Sequence, residues 1–185
     1  WQRRFRRFDV RPVAAASIGQ VHRAEPATGA PLAIKVQYPG IRRSIDSDVD
    51  NVATLIRLSG LMPDGLDVAP LLAEAKRQLH DEADYAREAS ELARFGRLLD
   101  GDDAFLLPEP EPELTTSSVL AMTYLPGVPI EQVQSQDQAT RDRIMTLLID
   151  LLFRELFDWG VMQSDPNFAN YRYDPETGRI VLLDF

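Results

Sequence analysis

The amino-acid sequence predicts an α+β fold with two lobes: a small antiparallel sheet with long helices, then a helical lobe. Three observations lead to this prediction. Short apolar runs with turn signals occupy residues 8–38, helical periodicity dominates about residues 41–99 and 138–160, and a hairpin pattern follows residue 170. The 185 residues are 44% hydrophobic, which suffices for a sizeable core.

Composition excludes several classes of protein. The net charge of -9 argues against a nucleic-acid partner, because phosphate backbones select basic surfaces. The absence of cysteine excludes disulfides and thiolate metal sites. No apolar run approaches the ~20 residues that a membrane-spanning helix needs.

The first eight residues place Trp1, Phe5 and Phe8 on one helical face, with four arginines on the other faces. This pattern predicts the last turns of a packed helix. The alternative is a basic amphipathic end that contacts an anionic membrane as a peripheral anchor.

A lysine strand is the main feature of the predicted first sheet. A turn at Gly29 separates a strand at residues 21–24 from a second strand at 32–37, and this second strand carries Lys35. The 20 basic residues are all arginine except Lys35 and Lys76. A compact ammonium contacts phosphate as a point charge, a role that the planar fork of arginine does not replace.

The remaining elements follow from periodicity and turn residues. The pattern predicts a helix from Ile41 to Leu58 and one long helix from Pro70 to Leu99. It then predicts an acidic loop or edge strand at 101–113, a strand at 116–124, a hinge at 126–129, a helix at 138–160, and a hairpin of 170–173 with 179–183.

The polar residues near the chain end suggest chemistry. Asp165, Asn170 and Asp184 occur in the order in which kinase-like phosphotransferases present their catalytic groups. Phosphoryl transfer needs one carboxylate to orient the attacking oxygen and oxygen ligands to hold magnesium. The alternative is a polar loop before an edge hairpin, in which Asp and Asn only form turns.

Motifs along the whole chain resemble the UbiB family of atypical kinase-like proteins, which are associated with coenzyme Q biosynthesis. The matching segments are residues 14–22, 33–40, 82–89, 163–170 and 183–185. The alanine-rich segment and the Glu-x-Asp-Tyr sequence are specific, because ordinary kinases have neither. The resemblance implies a bilobal protein-kinase-like fold that binds ATP and Mg²⁺.

The resemblance also implies roles for single residues. Ala14, Ala15, Ala16 and Ser17 would replace the Gly-rich loop over the nucleotide. Lys35 would contact the phosphates and pair with Glu88, and Glu82 with Asp84 would form the signature acidic pair. Asp165 would stand at the catalytic-base position, with Asn170 and Asp184 as magnesium ligands.

Helix geometry separates the two glutamates. On one straight helix Glu82 lies roughly 120° from Glu88, so both cannot reach Lys35. We therefore predict that Glu88 makes the ion pair. Without the family match, the acidic residues would be interpreted as a solvated helix face.

Two departures from the family pattern affect the prediction. Gln163 and Ser164 precede Asp165 where typical kinases carry His-Arg, so control by phosphorylation of the activation loop is not expected. The sequence lacks the family's Lys-x-Gly-Gln motif and ends at Phe185, where the family continues with Gly. We therefore expect a fragment, with an N-terminal lobe at 1–125, a truncated C-terminal lobe at 126–185, and a partly uncovered apolar stripe on helix 138–160.

The function implied by the resemblance is an ATP- and Mg²⁺-dependent atypical kinase or ATPase that supports ubiquinone biosynthesis. The alternatives are a nucleotide-binding pseudokinase scaffold and a small-molecule phosphotransferase of the aminoglycoside-kinase type. Implied partners are lipid-like quinone intermediates or quinone-biosynthesis proteins. The implied location is the bacterial cytoplasm or inner-membrane face, or the mitochondrial matrix side in a eukaryote.

Overall fold

The computed structural model describes residues 4–59, 68–163 and 167–184 and has the predicted α+β composition. The strands among these residues are β1 (Phe5–Phe8), β2 (Ala14–Ala16), β3 (Gly19–Pro26), β4 (Leu32–Gln37), β5 (Phe105–Leu106), β6 (Val119–Thr123), β7 (Val128–Pro129), β8 (Tyr171–Asp174) and β9 (Arg179–Leu182). The helices are α1 (Ile41–Leu58), α2 (Ala69–Glu82), α3 (Tyr85–Leu98) and α4 (Gln138–Phe153).

The first sheet contains the lysine strand. Its order is β1-β3-β4-β6, and β2 also pairs with β3. Gly29 has a φ of 98° in the turn between β3 and β4, a conformation that glycine adopts without steric cost. The core of this sheet is formed by Ala24, Leu32, Ile34 and Ala121, and the predicted lysine hairpin is confirmed.

The prediction of a helix at the N-terminal segment is wrong. The segment forms the edge strand β1, which pairs antiparallel with the end of β3. Phe5 and Phe8 pack against the core of the first sheet, and Arg6 is exposed and pairs with Glu25 on β3 at 3.0 Å. Aromatic residues spaced as on one helical face therefore lie in a strand here, because the backbone of this segment pairs with the edge of β3. Trp1 lies outside the described residues.

The predicted long helix is also wrong, because it is divided into α2 and α3 at Ala83 and Asp84. α1 has the predicted bounds and packs against α2. Polar pairs join these two helices: Lys76 Nζ lies 2.8 Å from Asp50 Oδ1, and His80 Nε2 lies 3.2 Å from Asp46 Oδ1.

The second sheet has the order β5-β9-β8-β7 and contains the predicted C-terminal hairpin. β5 runs parallel to β9 at the edge of the sheet, within the segment that was predicted as an acidic loop or edge strand. The core beneath this sheet combines residues from its strands and α4, including Phe105, Ile144, Leu151, Ile180 and Leu182.

α4 continues into a π-helical segment, Arg154–Trp159, so the two together cover the helix predicted at 138–160. Asp137 caps α4 by accepting the Thr140 N–H at 3.0 Å. The outer face remains strongly apolar: Met145, Ile149, Leu152, Phe153, Leu156 and Phe157 are all exposed.

The chain forms two compact units. The first comprises residues 1–87 with 112–121, and the second comprises residues 88–111 with 122–185. The division into lobes at residue 125 stays a prediction. Among the described residues, no helix combines the length and the apolar character that crossing a membrane requires.

Candidate functional site

Lys35 lies on β4 and is half-buried, with Val21 of β3 as its cross-strand neighbour. Its ammonium nitrogen lies 5.0 Å from the centroid of the Tyr85 ring. This distance is within the range of a cation–π interaction. In the first unit, the lysine predicted to contact phosphate is therefore held over a ring at the start of α3.

The alanine-rich segment forms a strand where a nucleotide loop was predicted. Ala14, Ala15 and Ala16 make up β2 and pair with β3, so that only Ser17 and Ile18 remain in the turn. Ala14 and Ala15 are exposed, as is Ser17. The exposed turn at Ser17 is thus the part of this segment with the loop character that was predicted for all four residues.

Gly19 closes this hairpin against the neighbouring strand. A Cβ atom there would lie 2.3 Å from the Val36 carbonyl oxygen and 2.9 Å from the Tyr85 hydroxyl. Real Cβ atoms do not approach a backbone oxygen so closely. Gly19 therefore allows β3 to lie against both β4 and the buried tyrosine.

The acidic residues Glu82, Asp84 and Glu88 do not share one helix. Glu82 is exposed at the end of α2, and Glu88 is half-buried in the first turn of α3. Asp84 lies between the helices and accepts the Ala86 N–H at 3.2 Å, which caps α3. The angle of 120° calculated for a straight helix therefore does not apply to Glu82 and Glu88.

The break between the helices is attached to β4 by Gln37. The Gln37 side-chain amide donates to the Ala83 carbonyl at 2.6 Å and to the Ser117 carbonyl at 3.3 Å. The Tyr85 N–H also donates to the Ser117 carbonyl, at 3.2 Å. These bonds satisfy backbone groups that the interrupted helix leaves without helical partners.

Asn170 and Asp184 lie at the same end of the β8–β9 hairpin. The Leu183 N–H donates to the Asn170 carbonyl at 2.9 Å, so the ladder extends one step beyond the pair Tyr171–Leu182. Both predicted ligands are half-buried. The hairpin register therefore places the backbones of Asn170 and Asp184, which are 14 positions apart, at the same end of the hairpin. Their side chains supply an amide oxygen and a carboxylate.

This donor set fits magnesium, a hard cation that prefers oxygen ligands and usually keeps water and phosphate oxygens in its shell. Among residues 4–59, 68–163 and 167–184, no three His, Asp or Glu side chains cluster as a metal site. The role of Asn170 and Asp184 as magnesium ligands stays a prediction.

The predicted base, Asp165, lies outside the described residues, as do Ser164 and Pro166. The flanking residues are described. Gln163 is buried, and Asn167 accepts the Ala169 N–H at 3.0 Å in the turn that leads to Asn170.

Gln163 and Glu155 form a buried polar network that the sequence analysis did not predict. The Gln163 side chain donates to the Asp184 carbonyl and accepts from the Tyr171 hydroxyl, while its N–H donates to Glu155 Oε2 at 3.2 Å. Glu155 is only 4% exposed, and burial raises the pKa of its carboxyl group. The network holds the backbone of the predicted ligand Asp184. The sequence did offer one indication of this network, because Glu155 interrupts the apolar stripe of the helix predicted at 138–160.

Comparisons with known proteins cover the whole chain. The sequence profile of the ABC1 atypical kinase-like domain matches residues 1–185. The chain is 42% identical over 185 residues to the protein named atypical kinase COQ8, mitochondrial, of Saccharomyces cerevisiae, and covers 37% of it. It is 44% identical over 186 residues to the Schizosaccharomyces pombe protein of the same name, and covers 30% of it.

A solved structure is also similar. The Mycobacterium tuberculosis protein Rv3197, solved in complex with erythromycin, superposes with a TM-score of 0.84 at 30% identity, covering 100% of this chain and 47% of the other. The chain spans about a third of the length of the curated relatives. These matches confirm the kinase-like fold class and the family predicted from the motifs. The chain belongs to the ABC1 atypical kinase-like domain family.

Proposed function

We propose that this chain is the nucleotide-binding part of an ATP- and Mg²⁺-dependent atypical kinase or ATPase that supports coenzyme Q biosynthesis. The observation that carries the proposal is the β8–β9 hairpin, which has Asn170 just before one strand and Asp184 just after the other, with the Leu183 N–H bonded to the Asn170 carbonyl at 2.9 Å. The family match supports the same class, because relatives at about 40% identity are named atypical kinases.

Each proposed residue has a distinct task. Lys35 contacts the nucleotide phosphates with a compact positive charge and pairs with Glu88. Asp165 orients the attacking water or hydroxyl oxygen, while Asn170 and Asp184 hold magnesium. The ion, when bound, neutralises charge that develops on the phosphate oxygens.

The alanine hairpin has a narrower proposed role than a Gly-rich loop. Because β2 is paired with β3, the exposed turn at Ser17 is the segment that would approach the phosphates. The small side chains of Ala14, Ala15 and Ala16 leave room for a nucleotide beside the strand.

The proposed acceptor is water or a small, lipid-like molecule of the quinone pathway, with quinone-biosynthesis proteins as partners. Several relatives are named mitochondrial. We therefore propose action at the matrix side of the inner membrane in a eukaryote, or at the cytoplasmic face of the inner membrane in a bacterium.

ATP binding and turnover by the full-length protein test the proposal. We expect Asp184→Asn and Lys35→Met to lower Mg²⁺-dependent turnover at least about 100-fold, since each removes charge that acts on the phosphates. Lys76→Met and Asp103→Asn are matched controls, because Lys76 lies on α2 and the Asp103 side chain is 97% exposed. Both controls should keep turnover.

Three outcomes separate the candidate functions. Unchanged turnover in Asp184→Asn contradicts the site assignment. ATP binding without turnover in the wild type favours the pseudokinase scaffold, and phosphorylation of an aminoglycoside favours the small-molecule phosphotransferase.

A further inference from the structure

The contact between Lys35 and Tyr85 has no role in the proposed chemistry so far. Lys35 and Gln37 are two residues apart on β4, so their side chains leave the same face of the strand. Both reach the break between α2 and α3: Gln37 bonds the Ala83 carbonyl, and Lys35 lies over the Tyr85 ring. The lysine strand is thus attached to the break at two points.

Tyr85 is held firmly in this position. It is completely buried, and its N–H donates to the Ser117 carbonyl at 3.2 Å. Its hydroxyl lies next to Gly19 of β3: a Cβ atom built on this glycine would be 2.9 Å from the hydroxyl oxygen. A fully buried ring whose backbone is hydrogen-bonded offers a defined surface to a neighbouring cation.

The face of an aromatic ring attracts an ammonium group but leaves its charge intact. A ring can therefore restrict the rotamers of a long side chain without accepting any of its N–H hydrogen bonds. This matters for lysine, which loses considerable rotamer entropy when it is ordered.

We propose that Tyr85 is a positioning residue, which holds Lys35 in the orientation that receives the nucleotide phosphates. This inference rests on the phosphate-contacting role proposed for Lys35. It assigns a task to the tyrosine of the Glu-x-Asp-Tyr sequence that is separate from the tasks of the acids beside it.

The first test measures the contact itself. Reductive ¹³C-methylation of the full-length protein labels its lysines, which in this chain are Lys35 and Lys76. We expect the Lys35 methyl resonance to lie upfield of the Lys76 resonance because of the ring current of Tyr85. Tyr85→Phe should keep this shift and Tyr85→Leu should abolish it. Lys35→Arg and Lys76→Arg each remove one signal and so assign it.

The second test measures the consequence for ligands. Calorimetry should show that Tyr85→Leu weakens ATP binding roughly tenfold, which corresponds to about 1.4 kcal/mol. Adenosine lacks phosphates, so its affinity should stay within about twofold. Tyr85→Phe is the matched control and should bind ATP like the wild type, because the ring face is retained.

The outcomes distinguish this inference from the proposed function. Equal weakening of ATP and adenosine in Tyr85→Leu indicates general structural damage and overturns the inference, as does unchanged ATP affinity. The absence of an upfield Lys35 signal in the wild type overturns it even if Tyr85→Leu does not fold. A protein that shows the upfield signal but binds no ATP refutes the proposed function instead, and with it the role assigned to the contact.

Discussion

At the scale of single residues, the contacts that shape the candidate site are made by residues whose importance the local sequence does not indicate. Lys35 could be selected from the sequence because lysine is rare in this chain. Tyr85 and Gln163 could not, since nothing in a local pattern shows that a side chain will be buried beside a functional strand. Gly19 is similar: its importance comes from the Val36 carbonyl on the next strand.

The close approach at Gly19 leads to a prediction about stability. Gly19→Ala should lower the free energy of unfolding by about 1–3 kcal/mol, because the new methyl group overlaps the Val36 carbonyl. Gly96→Ala is the control: Gly96 lies in α3 with no atom within 4 Å of the new Cβ, so this change should stabilise by about 0.5–1 kcal/mol. Urea denaturation measures both, and equal effects would contradict the prediction.

At the scale of elements, the break between α2 and α3 has the largest consequence for the site. Residues 70–99 have strong helix propensity, with no proline after residue 70 and no glycine before Gly96, so a continuous helix was the natural prediction. Tertiary bonds from Gln37 and to Ser117 favour the break instead. An aspartate that looked like a functional acid is also a helix cap.

The cap at Asp84 can be separated from any chemical role of its charge. Asp84→Ala should destabilise the fold by about 1 kcal/mol, because the Ala86 N–H loses its acceptor. Asp84→Asn retains an acceptor oxygen and should be close to wild type in thermal unfolding. If turnover is lost in Asp84→Asn while stability is kept, the charge has a second role. Equal stability of the Ala and Asn variants would refute the capping role.

At the scale of the whole molecule, the shifted carboxyl groups affect how stability depends on pH. The Arg154 guanidinium lies 2.6 Å from Asp102 and lowers the pKa of that carboxyl, and the hydroxyl of Thr177 lowers the pKa of Asp174. A lowered folded pKa means stability that is present above the unfolded value and lost as pH falls through the folded value. The raised pKa of Glu155 has the opposite sign: its ionisation costs stability above its unfolded value.

We therefore expect the free energy of unfolding to fall between about pH 5 and pH 2, since aspartates normally titrate near 3.9. Asp102→Asn should be less stable than wild type at pH 7 by about 1 kcal/mol or less, and the difference should shrink in acid. Glu155→Gln should gain stability relative to wild type as pH rises from 4 to 7, because it removes the ionisation that burial opposes. Urea midpoints at several pH values provide the measurement, and pH-independent differences would contradict the assignment.

The sequence by itself determined the fold class, the lysine hairpin, α1, the C-terminal hairpin and the family, because these depend on local periodicity, turn residues and short motifs. The assignment of Asn170 and Asp184 as magnesium ligands, made from motif order and family resemblance, stays a prediction. Tertiary structure alone decided that the N-terminal segment is a strand, that the long helix divides at Asp84, and that Tyr85 lies under Lys35. The physical reason is common to all three: each depends on hydrogen bonds or packing with a segment distant in sequence, which local propensity does not contain.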